Sequence, residues 1–329
     1  MRAEGLDRAP PAIRADAIRI EAPENFGLET DYDGVISFLH KLREEIKPGT
    51  RRQVIADMRS VRVMSPAAAL CLASEFDRWQ RIVGKKLQPL TVSSWDRKVL
   101  RHLFSMGLFE LLGTRIAPHL RASPSDDIPI WLKFSSQTVI DGSIPKHLRK
   151  KIEQALGSLG NLRQPLYGPL LEAIKNAVEH AYPDGSLDDY GKSRLGPRWW
   201  MLGVAEPAKR RIGVIVLDQG ITIPGSLPSS GMWRQLQKVL GTSGDGDKDR
   251  IAAAVEYGKT RTRLDERGKG LSEIIGLAAR DPSNHVRIYS RNGFYQATGS
   301  MPGTVEARAL PLAGTLIQWD LQVPTMKPG

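Results

Sequence analysis

Apolar residues recur along the chain with two different spacings. Steps of three and four residues, which are typical of amphipathic helices, occur over 33–46, 66–82, 95–106, 144–160 and 170–182. Short apolar runs, which are typical of strands, occur over 53–58, 87–93, 199–205, 212–217 and 314–324, and a hairpin is predicted over 285–298 with its turn at Arg291-Asn292-Gly293. Because strands and helices alternate, the pattern predicts an α/β fold.

Breaks in this pattern divide the chain of 329 residues, which is long enough for two hydrophobic cores. Residues 1–24 have no sustained periodicity and are predicted to form a flexible lead-in. A stretch with several prolines, serines and aspartates predicts a linker over 121–140. The chain is therefore expected to have a small α/β domain over 25–120 and a larger domain over 141–325.

The helix predicted over 170–182 carries the first candidate chemistry. Glu172 and Asn176 are four residues apart and therefore share one face of the helix. An amide oxygen can ligate Mg²⁺, and a carboxylate one turn away can polarise a water molecule. The alternative is an exposed polar face, which is the commoner reason for such residues, so this helix alone leaves both interpretations open.

Two further fragments meet the needs of a nucleotide site. Asp218 follows the apolar run 212–217 and precedes Gly220, so a buried carboxylate would be available to an adenine amine where the backbone leaves room for a flat base. The segment Gly268-Lys269-Gly270-Leu271 opens a predicted helix, and the backbone amides of such a segment suit phosphates. Each fragment has an alternative interpretation. Asp218 and Gly220 would belong to a turn that ends a buried strand, and 268–270 would be an exposed basic loop.

Taken together and in this order, the fragments resemble the GHKL ATPase family, which includes sensor histidine kinases, anti-sigma-factor serine kinases, gyrase-type topoisomerases and the MutL repair proteins. The segment 172–180 resembles the asparagine box, and 218–224 resembles the first glycine box. The segment 268–271 resembles the second glycine box, and Gly314-Thr315 the terminal strand that helps to hold adenine. The resemblance implies a histidine kinase-like, two-layer α/β sandwich over 141–325, with a mixed sheet and helices on one face.

The resemblance also implies a role for each matching residue. Asn176 would ligate Mg²⁺, and Asp218 would accept a hydrogen bond from the adenine amine. Gly220 would leave room for the base, and Thr315 would bond to Asp218 or to an ordered water molecule. Glu172 occupies the place of the general base in family members that hydrolyse ATP or transfer phosphate to serine.

The second glycine box and the segment before it have their own implied roles. Gly268 and Gly270 would line the triphosphate together with Leu271, and residues 225–267 would form an ATP lid. The chain departs from the family pattern at Lys269, which separates the two glycines and would either reach the γ-phosphate or point to solvent. It departs again at Thr222, which replaces the second glycine of the first box.

The domain predicted over 25–120 resembles a STAS-like domain, the fold of anti-sigma-factor antagonists. The resemblance rests on the strand 54–57, on the segment 61–66 with the Ala- and Leu-rich helix that follows it, and on the closing segment 108–113. Family members that are switched by phosphorylation carry a serine at the head of that helix. This chain has Pro66 at that place with Ser65 before it, so modification of Ser65 stays open.

Composition narrows the class of protein. The net charge is +11, but the basic residues are spread evenly, which favours a solvated surface over a nucleic-acid partner. No apolar stretch approaches the length of a membrane span, the N-terminal residues do not resemble a signal peptide, and Cys71 is the single cysteine. These features predict a cytoplasmic protein without membrane contact.

Among GHKL proteins the anti-sigma-factor serine kinases are the nearest match, because no upstream histidine lies in the His-Glu or His-Asp pair of a sensor kinase. The sequence therefore predicts an ATP- and Mg²⁺-binding regulator that acts on an anti-sigma or signalling protein, with a homodimer allowed for. It would be a slow ATPase or a serine/threonine kinase. The alternatives are a module that holds ATP without turnover and, third, a nucleic-acid-linked ATPase. The identity of the partner and of any phosphoacceptor stays open.

Overall fold

The computed structural model describes residues 12–84, 86–114, 129–156, 166–183, 198–227, 233, 237–238, 244–261 and 269–323, with the backbone alone at 257–261 and 269. The chain divides into two compact units, Met1–Pro124 and Ser125–Gly329. Each unit combines helices with strands, which confirms the predicted α/β class. Within the described ranges, no helix has both the length and the apolar character needed to cross a membrane.

In the first unit, four short strands pair in parallel. They are β1 (Ile18–Glu21), β2 (Asn25–Phe26), β3 (Val54–Asp57) and β4 (Val63–Met64). Strand β1 pairs with β3, and β2 pairs with β4. The helices of this unit are α1 (Tyr32–Glu45), α2 (Pro66–Val83), α3 (Arg97–Ser105) and α4 (Leu108–Leu112).

Local sequence explains where the long helix α2 begins and ends. The hydroxyl of Ser65 accepts a hydrogen bond from the backbone amide of Ala68 over 3.3 Å and so caps the first turn. Pro66 occupies that turn, where its missing N–H has no helical partner to lose. Gly84 ends the helix in the left-handed conformation. Residues 67–73 and Phe76 of this helix are apolar and are buried in the core of the first unit.

Two predictions for the first unit are wrong. The described part of the predicted lead-in, residues 1–24, contains β1, in which only Ile18 and Ile20 alternate with charged residues. Residues 87–93, all of them described, contain no strand, and a 3₁₀ turn (Val92–Ser94) lies at their end. Pro89 lacks the amide hydrogen that a strand would donate to its neighbour, which accounts for the second difference.

The second unit is built on one five-stranded sheet. Its strands are β5 (Ile130–Gln137), β6 (Trp199–Glu206), β7 (Arg211–Asp218), β8 (His285–Thr298) and β9 (Thr304–Gln322). Their order is β5-β6-β7-β9-β8, and every pairing in this order is antiparallel. The prediction of a mixed sheet is therefore wrong for the described strands. The connections from β6 to β7 and from β8 to β9 are too short for the crossover that parallel pairing requires.

Helices pack on one face of this sheet. They are α5 (Ser143–Leu156), α6 (Tyr167–Lys175), α7 (Ile223–Ser226), α8 (Asp247–Arg261) and α9 (Lys269–Gly276). Alternate residues of the central strands, such as Val214 and Val216 of β7 and Trp319 of β9, share a hydrophobic core with apolar side chains of α5, α6, α8 and α9. The two-residue period of a strand brings these side chains to the same face.

The predicted linker over 121–140 contains β5, which forms an edge of the sheet. Lys133, Ser135 and Ser136 make this strand polar, and it follows directly on the proline-rich stretch. An edge strand tolerates such residues because one of its sides has no neighbouring strand. The second unit therefore includes residues that precede position 141.

The hairpin predicted at Arg291-Asn292-Gly293 is also wrong. Residues 285–298 form the single strand β8, whose pairing with β9 shifts register between Ser290 and Gly293. Arg291 has a φ of +52° at this irregularity, which bends the strand without reversing it. The chain reverses at residues 299–303 instead, so the terminal strand predicted from Gly314 begins at Thr304.

The lid predicted over 225–267 is not a single segment in its described part. Helix α8 lies within it, and Ile251 and Val255 of this helix belong to the hydrophobic core. These apolar residues have helical spacing, so they share the face of α8 that packs against the sheet. Ile251 lies so close to β8 that a Cβ atom at Gly293 would overlap its side chain. Helix α8 is therefore part of the core in the described residues, and the part of the predicted lid at 262–267 lies outside them.

Candidate functional site

Three polar side chains lie side by side at one end of the helix-covered sheet face. Asp218 ends β7 and pairs with Thr315 of β9, which in turn pairs with Ser290 of β8. The preceding row on the same face is apolar and buried, and consists of Val216, Ile317 and Ile288. The alternation of each strand therefore brings the three polar side chains, called the polar row below, to the edge of the core.

The carboxyl group of Asp218 is buried, and no cation is among the described groups that act on it. Asp218 is 8% exposed. The backbone amide of Gly220 donates to its Oδ1 atom over 2.9 Å, and the backbone amide of Thr315 also donates to the carboxyl group. Burial raises the pKa of Asp218 to about 7, although both amides act to lower it. A further donor would stabilise the ionised form.

Hydrogen bonds fix the segment that follows Asp218. The amide of Ile221 donates to the carbonyl oxygen of Ala181 over 2.7 Å. The amide of Ile223, at the start of α7, donates to the hydroxyl of Ser290 over 3.0 Å. The segment is therefore attached both to the end of the preceding helix and to the polar row.

Two residues of this segment have special backbone requirements. A Cβ atom at Gly220 would overlap the carbonyl oxygen of Ala181, so glycine is needed for the strand end to pack against the helix end. This requirement differs from the predicted one, which was room for a flat base. Thr222 has a φ of +76°, a conformation that favours glycine, and its hydroxyl accepts from the amide of Gly225 over 3.2 Å.

The helix predicted over 170–182 changes geometry partway along its length. It is α-helical in α6 up to Lys175, and Asn176–His180 forms a π turn. The amide of Ala181 donates to the carbonyl oxygen of Asn176 over 3.0 Å, which is the five-residue step of a π-helix. Glu172 and Asn176 remain one α-helical turn apart, so they share a face as predicted.

The carboxylate of Glu172 lies between Lys175 and Gly270. The Lys175 Nζ atom is 3.1 Å from Glu172 Oε1, and this hydrogen bond is the main reason that the pKa of Lys175 is raised. A Cβ atom at Gly270 would be 2.7 Å from Glu172 Oε2 and 3.5 Å from the side-chain amide nitrogen, Nδ2, of Asn176. Glycine at position 270 therefore allows the start of α9 to approach the polar face of α6.

A cleft of about 1090 Å³ is lined by residues of the polar row and of α6. It brings together six of the predicted site residues, namely Glu172, Asn176, Asp218, Gly270, Leu271 and Thr315. Other polar groups around it are Lys175, Glu179, His180, Thr222 and Glu273, and its apolar walls include Ala173, Val216, Ile221, Ile223 and Ile317. This volume lies slightly above the usual range of small-molecule sites, which leaves room for a ligand as large as a nucleotide.

The other three predicted site residues are not among the described residues that line the cleft. Gly220 packs against Ala181 and is outside the described lining. Gly268 lies outside the described residues. Lys269 begins α9 with only its backbone described, so its contact with a γ-phosphate stays a prediction.

Two residues of this region were not among the candidates. Lys175 pairs with Glu172, and its position three residues further along a helix was a recognisable sign of such an ion pair. Ser290 completes the polar row, but its position becomes meaningful only when the register of β8 and β9 is known. A serine within an alternating strand carries no distinctive pattern of its own.

The groups around the cleft have the chemistry that an adenine nucleotide requires. Asp218 offers an acceptor and Thr315 a hydroxyl, while the apolar walls suit a planar base. Asn176 offers an amide oxygen, a type of ligand that Mg²⁺ accepts. The residues present therefore fit ATP and Mg²⁺.

Comparisons with known proteins name no family for this chain, because neither the protein-family models nor the curated protein sequences gave a match.

Proposed function

We propose that the second unit binds ATP with Mg²⁺ in this cleft, in the manner of GHKL ATPases. The observation that carries the proposal is the buried carboxyl group of Asp218, which lines the cleft beside Thr315. A buried carboxylate is unfavourable unless donors surround it, and Asp218 has two backbone amides but no described cation. The exocyclic amine of adenine would supply the additional donor.

The polar face of α6 would hold the phosphate end of the nucleotide. Asn176 would give Mg²⁺ one amide oxygen, and phosphate and water would complete its ligands. When bound, Mg²⁺ would neutralise part of the phosphate charge. Gly270 keeps the start of α9 close to Asn176, so backbone amides of α9 would be near the same phosphates.

Glu172 suits the role of general base in a slow ATPase or a serine/threonine protein kinase. It lines the cleft, and it lies one turn from Asn176. Its Oε1 atom is engaged by Lys175 at 3.1 Å, so it would accept a proton on Oε2, or on Oε1 after this ion pair opens. The same ion pair favours a second candidate function, which is a module that holds ATP without turnover.

The proposal extends to a regulatory role in the cytoplasm. The first unit would be a STAS-like domain, and its parallel strands followed by the capped helix α2 are compatible with that resemblance. The partner would be an anti-sigma or signalling protein, and a homodimer is compatible with the proposal. Nucleotide binding would change the surface that is offered to this partner.

Thermal unfolding with and without ATP and Mg²⁺ tests the binding proposal. Saturating nucleotide should raise the melting temperature by several degrees, because a ligand that binds only the folded chain stabilises it. Asp218→Asn should abolish this rise, since an amide presents a donor to the adenine amine. Asp16→Asn, at an exposed position, is the matched control and should leave the rise intact. A wild-type protein whose melting temperature does not respond to ATP would overturn the proposal.

Phosphate release separates the two candidate functions. Steady release from ATP that disappears in Glu172→Ala supports an ATPase, whereas binding without release supports the holding module. Lys175→Met is the informative companion variant, because it frees the Glu172 carboxylate and should increase any release. A rate that is the same in Glu172→Ala and in the wild type would remove Glu172 as the base.

A further inference from the structure

Ser290 is the innermost member of the polar row and has two hydrogen-bonding neighbours. It is fully buried, with 0% exposure. Its Oγ atom accepts from the amide of Ile223 over 3.0 Å and lies 2.9 Å from Thr315 Oγ1. Within the described part of the chain, these two contacts are the hydrogen bonds of its side chain.

The burial of Ser290 determines the direction of its bond with Thr315. The Ser290 oxygen already accepts one hydrogen bond, and its own hydrogen needs an acceptor because a buried unpaired donor is unfavourable. Thr315 Oγ1 is the acceptor within reach in the described residues. Ser290 therefore donates and Thr315 accepts. The hydrogen of the Thr315 hydroxyl then remains for a group in the cleft, which Thr315 lines.

We propose that Ser290 is a positioning residue that fixes Thr315 as a hydrogen-bond donor and so makes the cleft selective for adenine over guanine. This inference rests on the proposed nucleotide function, and it names a residue that touches no part of the ligand itself. Ser290 acts through Thr315, in the same way that outer hydrogen bonds orient the ligands of a metal site.

The selectivity follows from the order of donors and acceptors on each base. Adenine presents an amine donor beside a ring-nitrogen acceptor, which matches an Asp218 acceptor beside a Thr315 donor. Guanine presents a carbonyl acceptor beside a ring N–H donor, so both contacts would be repulsive. A Thr315 hydroxyl that was free to turn would accept from the guanine N–H and relieve half of this mismatch. Specificity of this kind depends on buried polar groups that cannot change their roles.

Nucleotide affinities of four chains test the inference, namely the wild type, Ser290→Ala, Thr315→Val and the double variant. They are measured with ATP and GTP at about pH 8.5, where Asp218 is ionised. Ser290→Ala should weaken ATP binding about tenfold and lower the ATP-to-GTP preference by a similar factor. The double variant should have the same ATP-to-GTP preference as Thr315→Val alone, because without the Thr315 hydroxyl Ser290 has no group through which to act.

A purely structural role of Ser290 would give a different result. Loss of the Ile223 contact would weaken ATP and GTP equally, and it would add to the effect of Thr315→Val. An unchanged ATP-to-GTP ratio in Ser290→Ala, or additive effects on this ratio, would overturn the inference. If Ser290→Ala fails to fold, Ser290→Thr and Ser290→Val replace it, since they match in shape and differ in the hydroxyl. Equal selectivity in this pair also overturns it. A wild type that binds neither nucleotide contradicts the proposed function instead.

Discussion

Each unit of the chain contains a strand that ends in a buried aspartate, and the two carboxyl groups differ sharply. Asp57 ends β3 after Val-Ile-Ala, and Asp218 ends β7 after Ile-Val-Leu. Their exposures are similar, at 4% and 8%. The pKa of Asp57 is nevertheless lowered to about 2, whereas the pKa of Asp218 is raised to about 7.

The neighbours of the two groups and their different desolvation explain this difference. Arg59 donates to both oxygens of Asp57, over 2.9 Å from Nε and 2.7 Å from Nη2, and Arg19 adds a bond of 2.9 Å. These hydrogen bonds, with that of Arg59 the largest cause, outweigh the opposing effect of burial. Asp218 has two backbone amides instead, and burial dominates its pKa.

The comparison separates a structural carboxylate from a functional candidate. The oxygens of Asp57 are already satisfied by arginines of the same unit, so a ligand would have to displace them. Asp218 lines a cleft and still has capacity to accept. Exposed fraction and position at a strand end do not distinguish the two; the arginines beside Asp57 and the stronger desolvation of the Asp218 carboxyl group do.

The pH dependence of stability should show the largest effect of this difference. Folded Asp218 keeps its proton up to about pH 7, whereas in the unfolded chain it releases it near pH 4. Between these values the folded state binds the additional proton, so its stability falls as the pH rises. Without ligand, this contribution should cost about 3 kcal/mol between about pH 5 and about pH 8.

Urea unfolding of the wild type and of Asp218→Asn at both pH values measures this contribution. Asparagine does not titrate, so the free energy of unfolding of the variant should gain on that of the wild type as the pH rises. The difference between the two chains removes the contributions of all other groups. Parallel pH profiles for the two chains would mean that Asp218 resembles Asp57 after all.

Nucleotide affinity should change with pH in the opposite sense. In the proposed complex the adenine amine donates to ionised Asp218, so binding releases a proton when the pH is below about 7. Affinity should therefore fall by up to about tenfold for each pH unit below 7. Calorimetry in buffers of different ionisation enthalpy measures the released proton directly. Adenosine should show the same dependence, because it has no phosphate that titrates; a flat adenosine profile would contradict the role of Asp218.

Asp57→Asn should have the smallest effect and leave nucleotide binding unchanged. The depressed pKa of Asp57 contributes stability above about pH 4, and this is lost as the pH falls towards about 2. At neutral pH the substitution should lower the free energy of unfolding by about 1 kcal/mol, because water around the two arginines screens the ion pairs. The ATP-dependent rise in melting temperature should persist. Loss of that rise would end the distinction between the two aspartates.

The sequence predicted best those elements whose residues are apolar without interruption. The strands found at 199–205 and 212–217 became β6 and β7, which occupy inner positions of the sheet. The strands that were missed, β1, β2, β4 and β5, are short or polar and lie at edges. An edge strand needs apolar residues on one face alone, so its sequence is closer to that of a loop.

The turn in the β8–β9 pair shows a second limit of sequence patterns. Asn292-Gly293 has the composition of a tight hairpin turn, yet the positive φ belongs to Arg291 and the strand continues. Residues 299–303 form the reversal, although Gly299 and Gly303 are separated by three other residues. The pairing with β9 decides between these sites, and this pairing is a tertiary property.

The candidate site followed the same rule. Asp218, Glu172 and Asn176 were found because each has a local pattern, a strand end or a helical spacing. The packing requirement at Gly220 was not predicted, because its close neighbour Ala181 is distant in sequence and only the fold brings the two together. Ser290 was missed because its partners come from two other segments.

The π turn at Asn176–His180 gives the chain an additional residue compared with a regular helix of the same length. Removal of one residue from this turn, for instance Val178, would convert its five-residue step into the four-residue step of an α-helix. The residues on either side of the turn would keep nearly the same directions, so Ala181 would still hold Ile221 beside Gly220. A single codon deletion here should therefore be tolerated better than the same deletion within α6, where everything after it would rotate by about 100° around the helix axis.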